Sequence, residues 1–421
     1  MKLKKLLIVL LLTTITFMTS INYVFADEEK TDFPTVNAEA YVVLDNKTNK
    51  ILYSKNENEK MYPASTTKIL TAIIVLENCD LEDKVTASYD AVMDIPEGYS
   101  SANIQIGEVF TVEQLLELLL IPSANDAANV LAEYVGGSVD SFISMMNTKV
   151  NELNLNNSHF TNTFGMHDEN HYTTAYDLAR IMQYSLKNDS FRKIAGKASC
   201  AIPATNKSGT RSYSSTNDLI NPNSKNYYKN LTAGKTGTTT QAKQCLVSSA
   251  YLDNLELICC VLGSESRTSD TRKIFDYTYS NYCVKNIVNE KDIISNIEVD
   301  WATKETKNLE LLANKDIPAL LKTSFSERKL EPQITLNEKI SAPIEEGAIL
   351  GKVTYNIDGI DYSTDLIASH SVEKTKILNY ILYFILLIAV LIVMYKLLNK
   401  KRKWFFWDGV DDFWPRPKNH S

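Results

Sequence analysis

The chain has 421 residues, with 51 acidic residues against 44 basic ones and a formal charge of −7. Once residues 1–26 with their three lysines and the basic tail after Tyr395 are set aside, the segment between them carries −14, which excludes a surface that attracts nucleic acid. Six cysteines and five histidines, with no Cys-x-x-Cys or His-Glu-x-x-His arrangement, give no support to a dense disulfide scaffold or a metal centre, and no glycine motif that would cradle a phosphate is present.

Lysines at 2, 4 and 5, the apolar stretch Leu6 to Phe17 and the small-residue exit at Val24-Phe25-Ala26 predict that 1–26 is a cleaved secretory signal. From 38 to 283, strands and helices alternate. Tyr41–Leu44 and Ile51–Tyr53 read as strands around a turn at Asp45-Asn46, and a long helical region follows. Within it, Pro63-Ala64 signals a helix entry, and Ile69 to Leu76 is an uninterrupted apolar run that reads as a buried helix, placing Ser65 at its N-terminus. Unpaired N–H groups and the positive end of the helix dipole gather there, and Lys68 lies three residues on, on the same helix face. Ser-x-x-Lys also begins at Ser190, Ser326 and Ser371, but none of these has such a setting.

The apolar helix Val112–Leu120 is ended by Pro122, and a second helix starts near Asp126, so Ser123-Ala124-Asn125 falls at a turn between helices. A serine there can relay a proton and an asparagine amide can bind a substrate carbonyl. Lys235-Thr236-Gly237 occurs once and reads as a strand edge, where an ammonium and a hydroxyl can bind a carboxylate and the glycine admits a close backbone approach. Cys245–Tyr251 and Leu255–Leu262 read as adjacent strands joined at Asp253-Asn254, with Arg267–Cys283 helical. A sheet backed by helices is the expected architecture.

From about 285 to 368, short extended segments broken by Pro318, Pro332, Pro343 and Gly347 predict a smaller β-rich domain with no candidate chemistry. The 19 uncharged residues from Ile377 to Tyr395 are long enough to span a bilayer core. Lys396 and Lys400-Lys401-Arg402-Lys403 follow, which predicts a cytoplasmic tail at 396–421 and an extracytoplasmic position for all that lies between signal and helix.

Ser65-Thr66-Thr67-Lys68, Ser123-Ala124-Asn125 and Lys235-Thr236-Gly237, in this order, resemble the active-site triplet of penicillin-binding proteins and related lactamases. With Tyr62-Pro63-Ala64, Ile121-Pro122, Asp126-Ala127-Ala128, the run from Asp168 to Asp177 and Cys245-Leu246-Val247, the chain is similar to the D-alanyl-D-alanine carboxypeptidases among the low-molecular-mass penicillin-binding proteins. The resemblance implies a penicillin-binding, serine β-lactamase-like transpeptidase fold of α+β class, with an antiparallel sheet flanked by helices, followed by a small all-β domain and one transmembrane helix. It implies Ser65 as the acylated nucleophile, Lys68 as its general base and Ser123 as a proton relay. Asn125 would bind the substrate amide, and Lys235, Thr236 and Gly237 would line the strand side. The N–H groups of Ser65 and Thr238 would form the oxyanion hole, and Arg267 would help hold the terminal carboxylate.

The implied reaction removes the last D-alanine of a peptidoglycan stem pentapeptide through an acyl-enzyme, without cofactor or metal, and β-lactams would acylate the same serine. His171 and Asp177 fit the pattern as framework residues. Lys243 stands where the family commonly has a glycine, and Ile377–Tyr395 reads as a true span where the family often has an amphipathic helix. A serine β-lactamase and a non-catalytic wall-binding protein are the competing readings.

Overall fold

The computed structural model describes residues 33–93, 95, 98–325 and 330–405; the expected signal at 1–26 and the tail beyond Phe405 lie outside the described residues. The chain divides into two compact units, one running to Cys283 and taking in Lys322–Ser324, the other formed by Val284–Leu321 and the chain from Phe325 on.

In the first unit, strands β1 (Ala40–Asp45), β2 (Ile51–Lys55), β3 (Leu231–Thr239), β4 (Lys243–Leu252) and β5 (Leu255–Ser264) make an antiparallel sheet in the order β2-β1-β5-β4-β3. All six residues of β1 are buried, as expected of an apolar run flanked by strands on both sides. Alternation along the strands sends Ala40, Val42, Leu44, Val247, Ile258, Cys260 and Leu262 into the main core. Helix α7 (Arg267–Asn281) packs on β4 and β5, with Ile274 and Phe275 buried.

The helical layer is built around α1 (Lys68–Asn78), whose first eight residues, Lys68 to Val75, are all buried. Helices α2 (Val112–Leu120), α3 (Asn125–Gly136), α4 (Val139–Glu152), α5 (Ala175–Ser185) and α6 (Asp189–Ala195) surround it. A helix apolar on all sides belongs inside a layer of others, and each buried Ile or Leu of α1 contributes about 1.5–3 kcal/mol. Thr111 starts α2 with a reciprocal capping box to Gln114.

The structure differs from the sequence expectation at two helix ends. Ser65 does not begin an α-helix but lies in a 3-10 turn, Ala64–Thr67, leading into α1. The hydroxyls of Thr66 and Thr67 donate to the carbonyls three residues back, at 2.6 Å to Pro63 and 2.9 Å to Ala64, and so favour the tighter winding. At the other end, α7 stops at Asn281, and Tyr282 and Cys283 already belong to β6 (Tyr282–Val288). The Asn281 amide donates to the Tyr277 carbonyl at 2.8 Å, and the Asn281 carbonyl accepts from Thr323 N at 2.9 Å, which closes the helix.

The second unit holds β7 (Ile293–Glu298), β8 (Asn308–Ala313), β9 (Ile317–Lys322), β10 (Gln333–Leu336), β11 (Ile349–Ile357) and β12 (Ile360–Ala368). Five of them form a sheet in the order β7-β8-β12-β11-β10, and β9 pairs with β6. Leu309, Leu311, Val353, Tyr355, Ile357, Leu366 and Ala368 point into a core of its own. Helix α8 (Ile377–Phe405) follows; its stretch Asn379–Asn399 is long and apolar enough to cross a membrane, at about 1.5 Å per residue against a hydrocarbon layer of roughly 30 Å.

Because Ile74 is buried at the centre of the helical layer, Ile74→Ala is expected to lower unfolding stability by about 2–5 kcal/mol, read from the denaturant midpoint; an unchanged midpoint would contradict the packing of α1.

Candidate active site

The turn carrying Ser65 is held between two pieces of backbone. On one side lies Gly165, at φ +92; a Cβ there would meet the Ala64 carbonyl oxygen at 1.8 Å. On the other side is edge strand β3, where a Cβ on Gly237 would stand 2.8 Å from the Pro63 carbonyl oxygen and 2.9 Å from Ser65 N. Only glycine permits both approaches. Ala64 itself is at φ 48, a left-handed conformation that the surrounding contacts must sustain.

A third support comes from beneath. His171 is buried, and its Nδ1 accepts from Thr161 N–H at 3.1 Å, which assigns the ring proton to Nε2. Nε2–H then donates to Thr67 Oγ1 at 2.8 Å, and the Thr67 hydroxyl donates to the Ala64 carbonyl. Burial lowers the His171 pKa to about 3, so the ring stays neutral and this chain of bonds persists through the physiological range.

The Lys68 amine lies 3.0 Å from Ser65 Oγ, 2.7 Å from Asn125 Oδ1 and 3.1 Å from the Phe164 carbonyl oxygen. Lys68 is fully buried; desolvation, reinforced by the nearby Lys235 charge and opposed by Asp126, holds its pKa well below the ordinary lysine value. A neutral amine has two N–H donors and one lone pair. Asn125 Oδ1 and the Phe164 carbonyl can only accept, so in that form they would take both N–H groups and the lone pair would face the Ser65 hydroxyl. The Lys68 amine is thus held within hydrogen-bond reach of the Ser65 hydroxyl, with its pKa lowered by burial.

Ser123 sits at φ 69 in the turn between α2 and α3, and its hydroxyl accepts from the Lys235 amine at 2.9 Å. Lys235 is also buried and donates to the Thr236 carbonyl at 2.9 Å. Burial first, and the Arg267 charge second, bring its pKa down to about 7. Thr236 Oγ1 shares a 2.5 Å hydrogen bond with Thr216 Oγ1, and Thr216 N–H donates to the Ile121 carbonyl just before Ser123. Arg267 donates through Nη1 to the Gly237 carbonyl at 2.8 Å and to Thr238 Oγ1 at 2.6 Å, so it is tied to β3 rather than lying loose at a helix start. Buried Asp126 accepts from Ala102 N and Ile104 N at 3.0 Å each, which fixes the start of α3.

Ser65, Asn125 and Thr238 open on a cleft of about 420 Å³ that is also lined by Tyr99, Phe164 and Thr239. Lys68 joins Ser65 to Asn125, and Lys235 joins Ser123 to β3; Thr236, Gly237 and Arg267 follow along the same strand. Sequence reasoning missed the Phe164 carbonyl, Gly165 and Thr216. The isolated glycine in Thr163-Phe164-Gly165-Met166 was the available signal for the first two. Lys243 adopts a left-handed φ of 54 in the β3–β4 hairpin, and it pairs with Glu39 and Glu265 at 3.0 Å each.

A serine hydroxyl beside a buried amine of lowered pKa, on an antiparallel sheet backed by helices, is an arrangement suited to serine acyl transfer. Comparison with known proteins narrows this. A D-alanyl-D-alanine carboxypeptidase family model matches residues 27–266, and a model of the penicillin-binding protein 5 C-terminal domain matches 282–374. The chain is 32% identical over 341 residues to the D-alanyl-D-alanine carboxypeptidase DacF of Bacillus subtilis, covering 79% of this chain and 85% of that one. Penicillin-binding protein 5 of Haemophilus influenzae superposes with a TM-score of 0.61 at 27% identity, covering 81% of this chain and 99% of that chain. The Streptomyces K15 DD-transpeptidase matches at a TM-score of 0.55 and 32% identity, over 59% of this chain and 99% of that chain. The chain belongs to the D-alanyl-D-alanine carboxypeptidase family of serine peptidases.

Two outcomes follow from this geometry. Gly165→Ala is expected to displace the Ser65 turn, costing about 1–3 kcal/mol of stability and most of the acylation rate, measured by melting and by labelling with a fluorescent penicillin. Lys235 bears on stability as well. Below pH of about 7 both folded and unfolded states are protonated and the folded state carries a buried charge; as pH rises above about 7 only the folded state sheds the proton, so stability rises with pH. Lys235→Met should therefore gain most over the parent at about pH 6 and less at about pH 8.5, and a pH-independent difference would contradict the assignment.

Proposed function

We propose that the chain removes the terminal D-alanine from peptidoglycan stem pentapeptides through an acyl-enzyme on Ser65, and that β-lactams acylate the same hydroxyl. The observation that carries this reading is the buried Lys68 amine, 3.0 Å from Ser65 Oγ and held by the acceptor-only oxygens of Asn125 and Phe164, with a pKa lowered by burial. Ser65 Oγ attacks the penultimate D-alanine carbonyl as its proton passes to Lys68 Nζ. The carbonyl oxygen becomes an oxyanion between the Ser65 and Thr238 N–H groups, and the Asn125 side chain orients the amide. The C–N bond then breaks as the proton held on Lys68 passes by way of the Ser123 hydroxyl, itself bonded to Lys235, to the leaving amine, which returns Lys68 to its neutral form. Water, activated in turn by Lys68, hydrolyses the ester and frees Ser65.

The substrate ends in a carboxylate, and Lys235, Thr236 and Arg267, gathered on β3, supply the cationic and hydroxyl donors for it. An extended peptide beside β3 would pair with the sheet edge along Gly237 and Thr238. The name of the K15 relative favours one further partition, in which an amine rather than water resolves the ester.

The same reading takes 38–283 as the catalytic domain, 285–368 as a β-rich domain and 377–395 as a single membrane span. The basic residues after Tyr395 support a cytoplasmic 396–421 and a catalytic domain on the extracytoplasmic face. The peptidoglycan stem peptide is the partner, and the membrane is reached through the C-terminal helix.

With a D-Ala-D-Ala pentapeptide and a fluorescent penicillin, the parent chain is expected to release D-alanine and to carry a slowly decaying label on Ser65. Ser65→Ala should lose both, with turnover falling roughly 10⁴-fold or more. Rapid loss of label with penicillin hydrolysis would mean a lactamase, and no label would mean a binding protein. Lys235→Ala is expected to raise KM more than it lowers kcat, and unchanged turnover would exclude the carboxylate clamp.

A further inference from the structure

Trp301 is an anomaly in the second unit. Its side chain is 64% exposed, and its backbone stands at φ 58, a left-handed conformation that bulky side chains seldom adopt. The loop is not loose. Ala342 N–H donates to the Asp300 carbonyl at 2.9 Å, Thr375 N–H to the Trp301 carbonyl at 2.7 Å, and the Thr375 hydroxyl to the Ala302 carbonyl at 2.5 Å. Thr303 N–H donates to the Glu373 carbonyl at 2.9 Å, and Ala302 bridges to Lys374. Val299 and Val372 are buried beneath. A tryptophan is thus held outward, against its backbone preference, by strands of the loop and of the segment that leads to α8.

That segment decides what the indole meets. Thr375, bonded to the Trp301 carbonyl, is separated by Lys376 alone from Ile377, the first residue of α8. Two residues of extended chain reach at most about 7 Å. Each headgroup layer of a bilayer is roughly 5–8 Å thick, so a group tied this closely to the start of a membrane-spanning helix lies at the interface. Tyr380 and Tyr383, exposed in the first turns of α8, mark the same level, as aromatic residues do at membrane surfaces. The charges nearby are balanced, with Asp300, Glu305 and Glu373 against Lys304, Lys374 and Lys376, so no basic patch supplies an attraction for anionic headgroups.

We propose that Trp301 is a second membrane contact of this chain, its indole seated among the headgroups of the bilayer that α8 crosses. The proposal rests on the reading of α8 as a membrane span. The contact is apolar and interfacial, so it does not depend on anionic lipid or on salt.

The test uses the full chain reconstituted in zwitterionic phosphatidylcholine vesicles. The sequence has four tryptophans, and with Trp404, Trp407 and Trp414 replaced by phenylalanine, Trp301 is the sole reporter. Flotation reports whether the chain is in the membrane. The expected result is flotation, blue-shifted Trp301 emission and quenching that is stronger with lipids brominated near the glycerol than with lipids brominated near the chain ends, unchanged by added salt or anionic lipid. A chain that floats with water-like, unquenched Trp301 emission overturns the contact and leaves the anchoring intact. Quenching that appears only with anionic lipid and is lost in salt also overturns it, in favour of an electrostatic approach. A chain that does not float overturns both readings. Labelling by fluorescent penicillin serves as the control that the triple variant is folded.

Discussion

A lysine amine held entirely out of water is the constraint on which the rest of the structure depends. Leaving an ammonium in such a place is costly, and with no carboxylate bonded to it the Lys68 amine has its pKa pushed well below the ordinary lysine value by burial. A buried amine in turn demands that each of its hydrogen-bonding sites have a defined partner. This explains why Asn125 and the Phe164 carbonyl converge on it, and why α1 must be fixed within the layer of helices around it. The apolar burial of α1 stabilises a segment whose first residue would otherwise oppose folding. Lys235 repeats the arrangement less completely, with a hydroxyl and one carbonyl as partners and a pKa near neutrality.

The backbone around Ser65 answers to a different requirement. The Ser65 hydroxyl is held within reach of the Lys68 amine, and the turn that does so contains Ala64 in a left-handed conformation. Gly165 and Gly237 press on it from two sides, and His171 secures it through Thr67 without taking part in proton transfer. A neutral histidine with a pKa of about 3 is a structural strut, in contrast to the titrating histidines of many hydrolases.

Much of the site was legible because its side chains carry their chemistry in their spacing. Ser65 and Lys68 are three apart, Ser123 and Asn125 flank a turn between helices, and Lys235 to Gly237 lie on one strand. The architecture was readable for similar reasons, since β5 and α1 are long apolar runs and β4 carries Cys245-Leu246-Val247 and ends at the turn at Asp253-Asn254. What could not be read is what the backbone contributes. A carbonyl such as that of Phe164 has no signature of its own, the 3-10 winding at Ser65 depends on two threonine hydroxyls folding back, and the pairing of Thr216 with Thr236 joins segments twenty residues apart. The end of α7 was misplaced by two residues because the closing bond comes from Thr323, far along the chain.

Strand β3 ends the sheet, and a sheet that stops at its own active edge has been left unfinished so that something else can complete it. An open edge cannot distinguish a short peptide from another strand of protein; both offer the same ladder of N–H and C=O groups. Peptide binding along β3, as proposed above, would therefore compete with pairing by any other strand that reaches the same edge. The cluster of Lys243, Glu39 and Glu265 at the hairpin that closes β3 is charge of the kind that discourages such pairing, and its removal trades solubility rather than chemistry.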